Sequence, residues 1–324
     1  MAKGSTSSSV NPIEQQGFAP KLPLKRRFPN GLRYWDLYLI MVPGLLFFLI
    51  FKYLPMWGTI ISFQDYNPFS GIWGSPWVGW AHFERMFNSP EFYQVFVNTL
   101  LISLYKLVWG FPAPIVLALM LNEVRNMMFK KSIQTIVYLP HFLSWVIVGG
   151  ILFNILSPST GIVNEFVQLL GFKPIMFLGS EEWFRSILVI SDIWKTAGWG
   201  TIIYLAALAG INPELYEAAT VDGASRWKQL WHITLPSLMP TISILFLLNL
   251  SSVLDVGFEQ ILILYNPLVY SVGDVIETYV YRVGISQGEF SYTTAVGLFK
   301  SVIALVLVSF ANWFSKKVGQ EGLW

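Results

Sequence analysis

The chain has 324 residues, of which 54% are hydrophobic and only 12% charged, and it contains no cysteine. Soluble domains carry about 25% charged residues, so this composition indicates a polytopic membrane protein. The missing cysteines exclude disulfides and thiolate metal sites. A net charge of +2 does not favour a nucleic-acid partner, and the three histidines lack metal-ligand spacing.

Residues 1–34 precede the first apolar stretch and contain a serine run followed by several basic residues. They show no short apolar run with a small-residue cleavage site, so they are not typical of a signal peptide. We predict a flexible basic cytoplasmic tail over 1–34, which either regulates the protein or anchors at anionic lipid.

Six apolar stretches are long enough to cross a bilayer, which takes about 20 helical residues. They cover residues 35–63, 95–121, 132–156, 186–209, 237–264 and 293–315. The sequence therefore predicts an all-α polytopic membrane protein with six transmembrane helices.

The distribution of basic residues predicts the orientation. With the N-terminus inside, 13 of the 21 Lys and Arg residues lie in inner segments and four lie in outer loops. This asymmetry indicates that both termini are cytoplasmic. The outer loops then hold Trp73, Trp77, Trp80 and Trp183, which suit an interfacial aromatic belt.

A polar segment between the fourth and fifth stretches lies on the cytoplasmic side in this orientation. Asn212 is a good helix N-cap, and Pro213 fits the first helical position. Gly223 fits the end of that helix, where a left-handed residue costs little only for glycine. We predict a second helical run from about Ala224 to His232, with Pro236 at the start of the fifth span.

The spacing Glu217-Ala218-Ala219, Gly223, Ile233 and Leu235-Pro236 resembles the EAA loop of permease subunits in binding-protein-dependent ABC importers. The resemblance covers roughly residues 95–315, and segments such as 231–236 (Trp-His-Ile-Thr-Leu-Pro) are similar to the oligosaccharide branch, with maltose-type permeases and the alginate importer among them. It implies the type I ABC importer permease fold. It also implies a first transmembrane helix and outer loop over 35–94, a permease core over 95–315 with the coupling loop at 210–236, and a cytoplasmic tail over 316–324.

The same resemblance implies the partners. The loop is expected to dock on an ATPase subunit, which drives the spans between inward-facing and outward-facing states. The implied docking residues are Glu217, Ala218, Ala219, Asp222 and Gly223. The implied complex, in the bacterial inner membrane, contains two ATPase subunits, a second permease that is a different chain, and an extracytoplasmic solute-binding protein.

The chain itself contains no G-x-x-x-x-G-K-[ST] phosphate loop. We therefore expect ATP and Mg²⁺ to be bound by the partner ATPases and this chain to need no cofactor. It shows no nucleophile–base pair, so a non-catalytic subunit is expected rather than an enzyme.

Polar residues inside the apolar stretches are candidates for a translocation path. Those in the fourth stretch share a helical face, and those in the fifth lie close to one face. The candidates are Asp192, Lys195, Trp199, Asn249, Ser252, Asp255 and Glu259. Such groups either line an aqueous cavity for sugar hydroxyls or hydrogen-bond between helices.

The charged groups leave further alternatives open. Asp192 and Lys195 lie three residues apart and could pair with each other, or Lys195 could face an anionic substrate. Lys106 and Lys300 could simply extend to the interface. A different function, an ion-coupled secondary transporter with Asp192, Asp255 or Glu259 as a relay, is also compatible with intramembrane carboxylates.

Overall fold

The computed structural model describes residues 35–317, apart from the side chains of Asp36, Phe314 and Ser315. The predicted tail over 1–34 and most of the predicted tail over 316–324 lie outside this range. Within it the chain is helical, and its β-structure is limited to an isolated antiparallel bridge between Gln64 and Trp77. The all-α prediction is therefore confirmed.

The chain divides into two compact units after Met56, and each is described by itself. The described part of the first unit holds helix α1 (Trp35–Phe48), a π-helical segment Leu49–Tyr53 and a short helix Leu54–Met56. Every side chain of known burial in this part is exposed. Because the helix is apolar all round, it suits a lipid or protein environment rather than water.

The second unit begins with a 3₁₀ segment, Trp57–Phe63, and continues with a series of helices. The longer ones are α2 (Ala81–Phe87), α3 (Pro90–Glu123), α4 (Met127–Phe142), α5 (Trp145–Ile155), α6 (Ile162–Leu169), α7 (Glu181–Ala209), α8 (Pro213–Val221), α9 (Arg226–Ser251), α10 (Phe258–Leu264) and α11 (Phe290–Lys317). Short helical turns lie at Gly71–Gly74, Phe177–Gly179, Pro267–Val269, Tyr270–Gly273, Ile276–Tyr279 and Val280–Ser286.

Four helical runs within residues 35–317 are long and apolar enough to cross a membrane: Leu37–Phe63, Pro90–Glu123, Arg226–Ser251 and Phe290–Trp313. The pair α4 and α5 adds a fifth if it counts as one span. Helix α7 has 29 residues, long enough to cross, but it is not in this set. The count of six spans stays a prediction.

Two predicted spans are not single helices. The stretch 132–156 bends by 105° between Phe142 and Trp145. The stretch 237–264 is interrupted, because α9 ends at Ser251 and α10 begins at Phe258. Gly257 in this interruption has φ +91°, a left-handed conformation that ends regular α-helix.

Three apolar runs contain a π-helical segment that ends two residues before a proline. The segments are Leu49–Tyr53, Lys106–Gly110 and Leu230–Thr234, and the prolines are Pro55, Pro112 and Pro236. A helical proline lacks an N–H, and its ring collides with the carbonyl four residues earlier. In each run that earlier residue lies inside the π segment, where the wider turn accommodates the ring.

Helix α7 occupies the centre of the second unit. It packs against α3 and α4 at small residues: a Cβ on Gly198 would lie 1.9 Å from the carbonyl oxygen of Val137, and one on Gly200 would lie 3.0 Å from the ring of Pro114. Its N-terminal half contributes Phe184 and Leu188 to a buried cluster with α10. These contacts place the polar residues of α7 next to α3, α4 and the interruption before α10.

Candidate functional site

The polar loop forms helix α8 with a cap at each end. Asn212 Oδ1 accepts a hydrogen bond from the Glu214 amide at 3.1 Å, and Pro213 occupies the first turn. At the other end Gly223 has φ +73°. The Gly223 amide donates to Thr220 O at 3.1 Å and the Ala224 amide to Ala219 O at 2.8 Å, which is a Schellman motif.

One side of α8 is anchored to the start of α9. The Tyr216 hydroxyl lies 2.9 Å from the Thr234 hydroxyl, and Gln229 Nε2 donates to Thr220 Oγ1 at 3.0 Å. The implied docking residues lie on the surface: Glu217, Ala218, Asp222 and Gly223 are exposed, and Ala219 is half-buried. Within the described chain, α8 thus presents small and acidic groups to the outside and holds its position through its other side.

The second helical run differs from its prediction. It begins at Arg226 rather than Ala224, and Ser225 caps it by accepting a bond from the Lys228 amide at 3.5 Å. It does not stop at His232, because the π segment Leu230–Thr234 carries it directly into the rest of α9. The second part of the predicted coupling loop, from Arg226 onward, therefore forms one continuous helix with the fifth apolar run.

A cavity of 410 Å³ lies between α3, α7 and the end of α9. Four of the seven predicted path residues line it: Asp192, Asn249, Ser252 and Asp255. Other polar lining groups are Ser103, Lys106, Thr196 and Tyr204. The cavity combines carboxylates, hydroxyls, an amide and an ammonium group, which are suitable hydrogen-bond partners for sugar hydroxyls.

Lys106 joins three elements beside this cavity. Its Nζ donates to Gln260 Oε1 at 2.6 Å and to Val256 O at 2.8 Å, and it lies 3.3 Å from Asp192 Oδ1. The Gln260 amide group donates in turn to Leu188 O at 2.7 Å. The expectation that Lys106 merely extends to the interface is therefore wrong, because its charge is held by α7 and by the interruption before α10.

Lys300 of α11 is likewise paired with carboxylates of other segments. Its Nζ lies 2.5 Å from Asp255 Oδ1 and 2.9 Å from Glu277 Oε1. The Lys300 side chain is 16% exposed, whereas that of Asp255 is 62% exposed. Lys300 is thus also paired inside the unit, and Asp255 reaches the cavity from this pair.

The suggested pair between Asp192 and Lys195 is wrong. Asp192 faces Lys106 of α3, whereas Lys195 Nζ donates to the carbonyl oxygen of His141 at 2.8 Å. The His141 ring stacks on Trp199 with centroids 4.6 Å apart. Lys195 and Trp199 of α7 therefore contact the bend between α4 and α5, and neither residue lines the 410 Å³ cavity.

The proposed stripe on the fifth span is also divided. Asn249 lies in α9, Ser252 and Asp255 lie in the interruption, and Glu259 lies in α10. Glu259 is exposed, does not line the cavity, and makes no hydrogen bond or ion pair with the rest of residues 35–317. A common helical face does not exist for these four residues, although three of them meet at the cavity.

The sequence did not indicate a polar network near the N-terminal ends of α3 and α7. Arg282 pairs with buried Asp274 at 2.5 Å and with Glu91 at 3.0 Å. Arg185 Nη2 donates to Asn98 Oδ1 at 2.7 Å, and Asn98 Nδ2 donates to Asp274 O at 3.1 Å. No local spacing in the sequence connects Glu91, Arg185 and Arg282, which lie in different parts of the chain.

Among the described residues, no group of three or more His, Asp or Glu side chains is placed to hold a metal ion. The polar centres of this unit are instead built from lysine–carboxylate pairs and amides. Such groups are suitable hydrogen-bond partners for a polar ligand.

Comparison with known proteins gives consistent matches. Residues 110–320 match a family described as binding-protein-dependent transport system inner membrane component. Protein LplB of Bacillus subtilis is 50% identical over 287 residues, covering 89% of this chain and 90% of that protein. The polygalacturonan/rhamnogalacturonan transport system permease protein YteP of Bacillus subtilis is 50% identical over 288 residues, with the same coverage.

Two solved structures are similar in fold and sequence. A bacterial ABC transporter involved in the import of the acidic polysaccharide alginate has a chain 47% identical, with a TM-score of 0.83, covering 89% of this chain and 97% of that one. The bacterial alginate ABC transporter in complex with alginate pentasaccharide-bound periplasmic protein has a chain 45% identical, with a TM-score of 0.85, covering 92% and 100%.

Proposed function

Because this chain belongs to the family of binding-protein-dependent transport system inner membrane components, we propose that it forms, with a second permease, the path of an ATP-driven oligosaccharide importer. It is a multi-pass permease subunit of a sugar ABC importer that acts with a substrate-binding protein. We propose in addition that its transport is coupled to ATP hydrolysis, that it pairs with a second permease and that its substrate is an oligosaccharide.

The observation that carries the coupling is the construction of α8. Its ends are closed by Asn212 and by the Gly223 motif, and its inner side is bonded to α9. The exposed Glu217 and Ala218 leave a flat surface with a negative charge for an ATPase subunit. Since α9 continues from Arg226 to Ser251, a displacement of α8 reaches the cavity residue Asn249 through one helix.

We further propose an oligosaccharide, acidic in the favoured case, as the substrate. The similar proteins include a polygalacturonan/rhamnogalacturonan permease and an alginate transporter. Both carboxylates lining the cavity have a lysine partner, Asp192 with Lys106 and Asp255 with Lys300. An anionic sugar would thus contact carboxylates whose negative charge is balanced by a lysine. Lys106, rather than Lys195, is the ammonium group at the cavity.

The ion-coupled transporter is not favoured by these contacts. A proton relay needs carboxylates that exchange protons readily, whereas Asp192 and Asp255 are each engaged by a lysine. The third candidate, Glu259, lies outside the cavity.

The coupling is tested with Glu217→Lys in the complete complex, purified with its ATPase subunits and placed in liposomes. We expect at least a tenfold loss of ATPase retention and of ATP-dependent uptake, since the substitution reverses the charge at the proposed contact. Glu165→Lys, at an exposed position of α6, makes the same charge change elsewhere and serves as the control. Normal ATPase retention and uptake in the Glu217→Lys complex would show that α8 is not the docking surface.

The path and the substrate are tested in the same liposomes with the binding protein present. ATPase stimulation is measured with oligogalacturonates, alginate oligosaccharides and arabino-oligosaccharides. Asn249→Ala and Asp255→Ala are expected to reduce uptake, whereas Ser251→Ala, which does not line the cavity, is the control. Unchanged uptake in both cavity variants would remove this cavity from the path.

A further inference from the structure

A second cavity, of 230 Å³, lies between the 3₁₀ segment Trp57–Phe63 and the loop that follows it. Its lining residues all belong to the second unit and none lines the 410 Å³ cavity. They are Trp57, Ile60, Gln64, Ile72, Trp73 and Trp77. On the orientation that the charge distribution predicts, this cavity is on the outer side, where substrate arrives.

The loop that forms this cavity is closed by its own hydrogen bonds. The Asp65 amide donates to Pro76 O at 2.9 Å, and the Val78 amide donates to Phe63 O at 2.9 Å. Ser75 Oγ donates to Gly71 O at 2.7 Å within the loop. Gly71 has φ +69°, a turn conformation that glycine adopts at little cost. These hydrogen bonds fix the backbone of the loop that surrounds the cavity.

The lining combines aromatic faces with one buried amide. Trp57, Trp73 and Trp77 are 70%, 95% and 65% exposed, so their indole rings are open to a ligand. Gln64 is only 3% exposed, and its Nε2 donates to Ile72 O at 3.0 Å. Gln64 Oε1 is buried and has no hydrogen-bond partner within the described chain. A buried acceptor without a partner is costly, so a donor brought to Gln64 Oε1 would gain a hydrogen bond.

We propose that this cavity binds one pyranose ring of the oligosaccharide at the outer entrance of the permease. A sugar ring offers an apolar C–H face to an indole and a hydroxyl donor to an amide oxygen. Binding sites for small molecules typically pair aromatic walls with a few placed polar groups. This inference rests on the proposed function, because it identifies the ligand as part of the transported sugar.

A membrane-interface role accounts for less of what is observed. Tryptophans of an interfacial belt lie at headgroup level with their rings directed outward. That arrangement needs neither a concave surface between three indoles nor a buried acceptor behind them. Trp183, outside this cavity and packed edge-on against Phe177, is a suitable example of an outer tryptophan without such a site.

The test uses the full complex in nanodiscs with fluorinated tryptophan, and each ¹⁹F resonance is assigned by substitution. Trigalacturonate, an alginate trisaccharide and arabinotriose are titrated to about 10 mM, well above the millimolar affinity of a weak single-ring site. We expect the Trp73 and Trp77 resonances to shift with at least one sugar while that of Trp183 does not. Trp73→Ala should weaken this binding about tenfold, as expected for losing one aromatic wall.

Three results would overturn the proposal. The resonances of Trp73 and Trp77 could stay unmoved by all three sugars, could move together with Trp183, or could respond only to a change in lipid composition. Trp73→Ala is expected to fold normally because its side chain is exposed. Uptake, measured separately, distinguishes the two proposals: transport with unmoved resonances contradicts this site alone, whereas shifted resonances without any ATP-dependent transport contradict the proposed function alone.

Discussion

Two of the predicted membrane spans are interrupted in the second unit, one after Phe142 and one after Ser251. Different interactions stabilise the two interruptions. At the bend after Phe142, Lys195 bonds a backbone carbonyl and lies over the Trp145 ring, with its Nζ 5.6 Å from the centroid. At the interruption after Ser251, Lys106 bonds a backbone carbonyl but also approaches the carboxylate of Asp192. The first site is held by neutral groups and close packing, whereas the second is held by paired charges.

This difference matches the location of the cavity. The interruption with paired charges contributes Ser252 and Asp255 to the cavity lining, whereas Lys195 and Trp199 at the bend contribute nothing. The charged groups at the interruption can form hydrogen bonds with a polar ligand, whereas the close backbone packing at the bend offers no such partners. We therefore regard the bend as a fixed support and the interruption as the part that responds to substrate.

The largest effect is expected from Gly198→Ala, which tests the packing at the bend. The new Cβ would lie 1.9 Å from the Val137 carbonyl oxygen, so α4 and α7 would have to separate. We expect the free energy of unfolding to fall by about 3 kcal/mol. Thermal unfolding of the detergent-solubilised complex measures this.

Gly150→Ala in α5 is the matched control, because a Cβ there meets nothing within 4 Å. It should leave stability unchanged or raise it slightly, since alanine favours a helix more than glycine does. Equal unfolding of the two variants would show that close packing does not hold the bend.

The second effect concerns the charges at the interruption. Lys106→Met leaves Asp192 and the acceptor Gln260 Oε1 without their ammonium partner. Removing one member of a largely buried pair is destabilising, here by about 2–3 kcal/mol. The measurement is again the unfolding of the complex, together with uptake.

A second substitution separates the ion pair from simple packing. In the double variant Lys106→Met with Asp192→Asn, the isolated charge is gone, so part of the stability should return. Lys52→Met removes an exposed lysine from an apolar run and is the control. No recovery in the double variant would mean that the pair with Asp192 contributes little.

The sequence predicted the parts of this protein that depend on local chemistry. Asn212, Pro213 and Gly223 predicted both ends of α8, because caps and left-handed turns are set by neighbouring residues. The apolar runs likewise predicted the helices, although their ends differ by several residues. Prolines such as Pro112 also mark, in the sequence, where the helices widen.

The partners of intramembrane charges required the structure. Lys106 and Asp192 are 86 positions apart, and only the packing of α3 on α7 brings them together. The apolar residues alone predicted that the fifth span continues through residues 252–257. No local feature of the sequence showed that Lys106 and Lys300 would hold an interruption there. Residue type thus predicted about half of the polar residues that line the cavity. The geometry of the cavity follows from long-range contacts.

The smallest effect is expected from Lys195→Met, and it decides whether the bend is held by packing rather than charge. Met keeps most of the apolar stem but loses the bond to His141 O and the contact with the Trp145 ring. No carboxylate is left unpaired, and a buried charge is removed, so the net loss should be about 1 kcal/mol. Unfolding of the complex should rank Gly198→Ala above Lys106→Met and both above Lys195→Met. If Lys195→Met were as damaging as Lys106→Met, the two interruptions would be held alike, and the bend would have to be counted as a second charge-dependent site.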